Sequence, residues 1–95
     1  QPDSWSTFNT KSALGGALLG GAKLDEAEPL LLDGYRGMKQ REASIPPQGK
    51  FRFVQALERI VKLYEARGDA SEATTWRKEL ELARAPASEP NGARR

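Results

Sequence analysis

"KLDEAEPLLLDGY", residues 23–35, sets a proline beside three leucines in a stretch whose leucine, alanine and glutamate content otherwise favours helix. Whether Pro29 breaks that helix or begins it decides the fold. Asp25 followed three residues later by Glu28 has the spacing of a capping box, and carboxylates near a helix N-terminus favour the macrodipole. Pro29 then falls in or next to the first turn, where its missing N–H costs little, whereas a proline deeper in a helix costs about 3 kcal/mol. Pro29 is therefore expected to mark a beginning. Ala27, Leu30, Leu31, Gly34, Tyr35 and Met38 follow at three- and four-residue steps and give this helix an apolar stripe. Gly34 and Gly37 each cost about 1 kcal/mol relative to alanine, so close packing is expected to offset at least one of them.

The surrounding chain divides at similar punctuation. Upstream, Asp3 or Ser4 can cap a first helix on which Trp5, Phe8, Leu14 and Leu18 share a stripe, and Gly20-Gly21 ends it. Downstream, "ASIPPQGK" interrupts the pattern, because Pro46-Pro47 cannot continue a helix. Phe53 or Val54, Leu57, Ile60, Val61 and Tyr64 then form a third amphipathic helix closed by Gly68, and Asp69 with Glu72 repeats the cap signature. A fourth helix carries Ala73, Trp76, Leu80 and Ala83, with Pro86 to stop it. No useful length alternates with period two, so no strand is assigned. The predicted fold is all-α: four helices as two antiparallel hairpins stacked in an α-α superhelix. Residues 1–42 form the first hairpin, 43–50 the Pro/Gly-containing loop, 51–85 the second hairpin and 86–95 a disordered tail.

Composition narrows the function. Ninety-five residues at 38% apolar content build one small domain with little core, which neighbouring units would help to stabilise. The chain starts at Gln1 and its one methionine is Met38, which is expected of a fragment or processed piece. Without cysteine or histidine it has no disulfide, thiol nucleophile or imidazole acid-base chemistry, and the usual zinc ligands are missing. The net charge of +2 comes from interspersed acids and bases. The longest apolar stretch, 13–22, contains four glycines and is shorter than the ~20 residues of a bilayer span. With no leader pattern ahead of it, the expected compartment is the cytoplasm.

The two halves repeat. Leu14-Gly15, Leu18 and Ala27 fall opposite Ile60-Val61, Tyr64 and Ala73, each pair 46 residues apart, so each predicted hairpin has the same internal spacing. Leu14, Gly15, Leu18, Ala27 and Leu31 resemble, position by position, the tetratricopeptide repeat, whose signature sets a Leu-Gly pair and a larger residue on one helix and an alanine on the next. "EAEPLL", residues 26–31, is similar to its kinesin-light-chain-like subgroup. The second unit departs from the pattern: Val61 replaces the glycine, Arg77 replaces a large apolar residue and the closing proline is absent, as in a terminal repeat whose outer face meets water. "WSTFNTKSALGGALLG", "AEPLLLDGY" and "KLYEARGDASEATTWRKEL" resemble the C-terminal end of repeat arrays in bacterial proteins, many of which carry a serine/threonine kinase domain. This chain has no glycine-rich strand loop, HRD or DFG and is not itself the kinase.

Sharper readings of single motifs fail on chemistry. "GGALLGGAK" lacks a lysine where a phosphate loop needs it, since Ala22 stands there, and Gly16 with Gly20 form a GxxxG outside any membrane-length helix. Glu26, Glu28 and Asp33, or Glu79 with Glu81, are read as solvated faces and caps, so no catalytic, cofactor-binding or metal-binding residue is assigned. "KFRF", residues 50–53, with Arg59, Lys62 and Arg67 combines bases with aromatics, but Phe53 lies on the apolar stripe and Glu58 and Glu65 dilute the charge. The expected partner is a protein or peptide, or further repeats of the parent array, with no nucleic acid, membrane or cofactor. What the resemblance implies is a scaffold whose concave groove is lined by the first helix of each hairpin. That face would present Asn9, Ser12, Gly16 and Leu19 from one unit and Gln55, Glu58, Lys62 and Glu65 from the next. Some relatives clamp a C-terminal carboxylate with basic and asparagine residues; Ser12, Gly16 and Glu58 occupy that face here, so no such clamp is expected. The alternative role is a structural cap that closes the array.

Overall fold

A computed structural model describes residues 4–84, and these form four helices with no strand among them: α1 (Trp5–Gly20), α2 (Leu24–Gln40), α3 (Lys50–Arg67) and α4 (Ala70–Arg84). The class is all-α, as the spacing predicts. Two 3-10 turns, Glu42–Ser44 and Pro47–Gly49, carry the chain between the pairs. Pro86 and the predicted tail lie outside the described residues, as does Asp3.

α1 packs on α2, α3 on α4, and α3 lies against both α2 and α1. Leu31 and Met38 from α2 meet Ala56, Leu57, Ile60 and Leu63 from α3 in the centre, all essentially without exposure. Ile45, from the link, is buried with them. Tyr35 ties three helices: its ring lies 5.3 Å from Phe53 of α3 and meets Trp76 of α4 edge-on at 5.3 Å.

The interhelix turns repeat bond for bond. Lys23 N–H donates to the Leu18 carbonyl at 2.9 Å and Ala27 N–H to Lys23 at 3.0 Å; 46 residues later Asp69 N–H donates to Tyr64 at 2.9 Å and Ala73 N–H to Asp69 at 3.0 Å. Each α-helix pair needs one left-handed residue to turn back, and it falls on Gly68 (φ 74°) in the second pair but on Ala22 (φ 62°) in the first. Gly20-Gly21 therefore does not supply the left-handed position; Gly20 closes α1 and the turn residue comes two positions later. Left-handed backbone crowds the alanine Cβ, a cost of about 1–2 kcal/mol that glycine avoids.

Two expectations about the first pair are corrected. α2 begins at Leu24 with Lys23 at the cap, so Pro29 sits in the second turn, inside the helix. Asp25 and Glu28 do not form a capping box: both accept from Arg67 of α3, at 2.9 and 3.1 Å, and Glu28 also accepts the Tyr64 hydroxyl at 2.8 Å. Their three-residue spacing serves an interhelix clamp. Burial and this bond push the Tyr64 phenol up to about 12. Asp69, by contrast, does cap α4, its Oδ1 accepting the Glu72 N–H at 3.1 Å.

Second, Leu14 is 53% exposed, while Ser12 and Gly15 are the buried residues of α1. Glycines set that phase by letting α2 lie close. A Cβ on Gly15 would come within 2.8 Å of the Leu31 side chain, and one on Gly34 within 2.8 Å of the Phe8 carbonyl oxygen and the Ser12 nitrogen. A Cβ on Gly37 would enter the Phe8 ring. Both α2 glycines are thus used for close approach.

Candidate interaction groove

α1 is nearly uncharged around its whole circumference; Lys11 is its one ionisable side chain. Where it runs beside α3, Ala13, Gly16, Ala17 and Gly20 form a low wall with Leu19, and Arg59 and Lys62 of α3 form the opposite wall. The groove holds about 400 Å³. Arg59 bridges it at the base: its Nη1 donates to the buried Ser12 hydroxyl at 3.0 Å, and a Cβ on Gly16 would lie 2.9 Å from its Nε. Burial, and Arg52 one stretch back on the same helix, both lower the pKa of the Arg59 guanidinium, with Glu58 opposing them.

Of the residues expected on this face, the structure brings Gly16, Leu19 and Lys62 together in the groove. Ser12 lies beneath it, fully buried, so it holds Arg59 and is closed to a partner. Asn9 and Gln55 are half-buried and do not line it; the Gln55 Oε1 is buried without a hydrogen-bond donor. Glu58 and Glu65 do not line the groove: they flank Lys62 in the depression on its α4 side, where Arg84 donates to Glu58 at 2.6 Å and Arg77 to Glu65. Arg59, Ala13, Ala17 and Gly20 are the lining residues that sequence reasoning missed. A signal existed for Arg59, since Arg52, Arg59 and Lys62 recur at helical spacing on α3.

The basic and aromatic cluster of residues 50–53 is dispersed. Phe53 is buried against Tyr35, Lys50 donates to the Glu42 carbonyl at 3.0 Å, and Arg67 is held by Asp25 and Glu28. A second depression lies between the start of α3 and the end of α4, where Phe51 and Leu82 are exposed beside Val54. Among the described residues no three acidic side chains group in a way that could hold a metal ion, and no helix is long and apolar enough to cross a membrane. Comparison with known proteins finds no matching family model, no matching curated protein and no matching solved structure.

Proposed function

We propose that this chain is a non-catalytic protein-interaction scaffold, part of a tetratricopeptide-like helical array, which receives a peptide in the groove between α1 and α3. The observation that carries the reading is the groove itself: a wall of glycine and alanine on α1 facing cations on α3, open to solvent above the Arg59 side chain that crosses its base at Gly16. Small residues on one wall let a peptide backbone approach closely, and the polar groups opposite fix its orientation. Selection of a random dodecapeptide display library against the immobilised chain tests this. Enriched peptides should bind the native chain and lose binding to Gly16→Leu, which favours the helix and sets a larger side chain against Arg59 within the groove. Peptides indifferent to Gly16→Leu would refute the groove.

A second reading, the structural cap of an array, is favoured by an asymmetry between the two ends. On α3 the residues Ala56, Ile60 and Leu63 are fully buried; their counterparts 46 positions earlier on α1, Thr10, Leu14 and Ala17, are exposed and uncharged. On α2 the residues Leu31, Tyr35 and Met38 are buried; their counterparts on α4 are Arg77, Glu81 and Arg84, all exposed. The first pair presents a face suited to another helix and the last pair a face suited to water, as expected of a terminal unit. Scaffold and cap are compatible roles of one piece. In this reading the parent is a cytoplasmic bacterial protein with further hairpins, and in the kinase-linked form a catalytic domain, ahead of Gln1. A parent reading frame encoding hairpins of the same spacing is the expected result; one without them removes the cap reading, and one without a catalytic domain removes the kinase link.

A further inference from the structure

The charges of α3 divide by partner, with Lys62 at the boundary between the α1 groove and the depression on the α4 side that Glu58 and Glu65 also line. Glu58 and Glu65, one turn to either side of Lys62, are both engaged by arginines of α4, and Arg67 is engaged by acids of α2. Lining the groove, Lys62 has no ion-pair or hydrogen-bond partner among the described residues, and Arg59 has none of their carboxylates within ion-pair distance. Arg59 spends one of its five N–H donors on Ser12 and packs its Nε over Gly16, which leaves its other terminal N–H donors for a ligand. Arg52, whose charge disfavours that on Arg59, stacks on Phe51 and has no ion pair among the described residues. The facing helix offers no acid at all, since α1 contains none. The fold thus engages the neighbouring carboxylates of α3 with arginines of α4 and leaves Arg59 and Lys62 as the charged side chains lining the groove.

We propose that the α1–α3 groove takes an extended acidic peptide segment, with side-chain carboxylates of the peptide pairing with Lys62 and Arg59. This rests on the scaffold reading and names its partner's chemistry. Half-buried Arg59 and exposed Lys62 favour carboxylates through charge-assisted hydrogen bonds, and complementary charge sets specificity and encounter rate. Beyond the Arg59 stem at Gly16, the small residues Ala13, Ala17 and Gly20 leave room for a peptide backbone. Single-stranded nucleic acid fits less well, because no aromatic side chain lines the groove to stack a base.

The test is fluorescence anisotropy at low salt with a fluorescein-labelled, C-terminally amidated oligoglutamate octapeptide, an oligoglutamine octapeptide and an oligo-dT of the same length. The oligoglutamate should bind more tightly than either of the others. Lys62→Glu should weaken it at least about fivefold. Lys78→Glu makes the same change in net charge on α4, away from the groove, and should leave binding within about twofold. No detectable oligoglutamate binding, equal weakening by both substitutions, or tighter binding of oligo-dT would overturn the proposal. Oligoglutamine bound as tightly, indifferent to Lys62→Glu but lost in Gly16→Leu, would also overturn it while leaving the scaffold reading intact; peptide binding indifferent to Gly16→Leu would take both.

Discussion

The two hairpins share one backbone template and fill it in opposite ways. Their turns match bond for bond 46 residues apart, yet Gly15, Gly34 and Gly37 of the first pair stand where the second has Val61, Leu80 and Ala83. In the first pair the helices approach until backbone nearly touches backbone, and in the second they are held by side chains such as Leu80, which is buried. Connection geometry and interhelix packing are therefore separable: the hydrogen bonds of the turn fix where each helix starts, and side-chain volume fixes how the pair packs.

That contrast can be broken from either side. The largest expected effect is at the equivalent pair Leu80 and Gly34. Leu80→Ala should cost about 2–4 kcal/mol by leaving a cavity, and Gly34→Ala about 1–3 kcal/mol by forcing α1 off α2, both measured by urea denaturation. A neutral Gly34→Ala would mean that close approach is not what the glycine provides. Next come the turn residues: Gly68→Ala should destabilise by about 1 kcal/mol and Ala22→Gly should stabilise by about 0.5–1 kcal/mol, opposite signs at equivalent positions. Equal signs would contradict the shared template. At the caps, Asp69→Ala should cost about 1 kcal/mol, and Lys23→Asp, which supplies the missing cap of α2, should gain about 0.5 kcal/mol. The effect that is smallest near neutrality is that of pH. Tyr64 stands where the first pair has Leu18, and its phenol is favoured in the neutral form, so its contribution is complete below its ordinary value near 10 and is lost as pH rises towards 12. Denaturation midpoints from pH 9 to 12 should fall in the native chain, and more steeply than in Tyr64→Phe.

The sequence made the four helices legible because glycine and proline punctuate it and because the apolar spacing of α2, α3 and α4 is regular. What misled was local chemistry with a distant partner. Asp25 and Glu28 have a cap's spacing, but Arg67, more than a helix away in sequence, claims both carboxylates. Leu14 looked like core because it belongs to a periodic set, whereas the glycines of the α1–α2 contact turn Ser12 and Gly15 inward instead. In the groove, Gly16, Leu19 and Lys62 were legible from helical spacing. Glu58 and Glu65 were not, since the direction each takes is set by Arg84 and Arg77 on another helix. Arg59 stood out as basic, but that its stem crosses Gly16 to reach Ser12 is visible only once α1 and α3 lie side by side.

The proposed function rests on the seam between α1 and α3, and a ¹⁵N-resolved NMR titration with the tightest peptide from the library locates binding directly. Amide signals of Gly16, Gly20 and Lys62 should move with peptide while those of Phe51 and Leu82 stay in place. Shifts confined to Phe51 and Leu82, with the seam unperturbed, would contradict it.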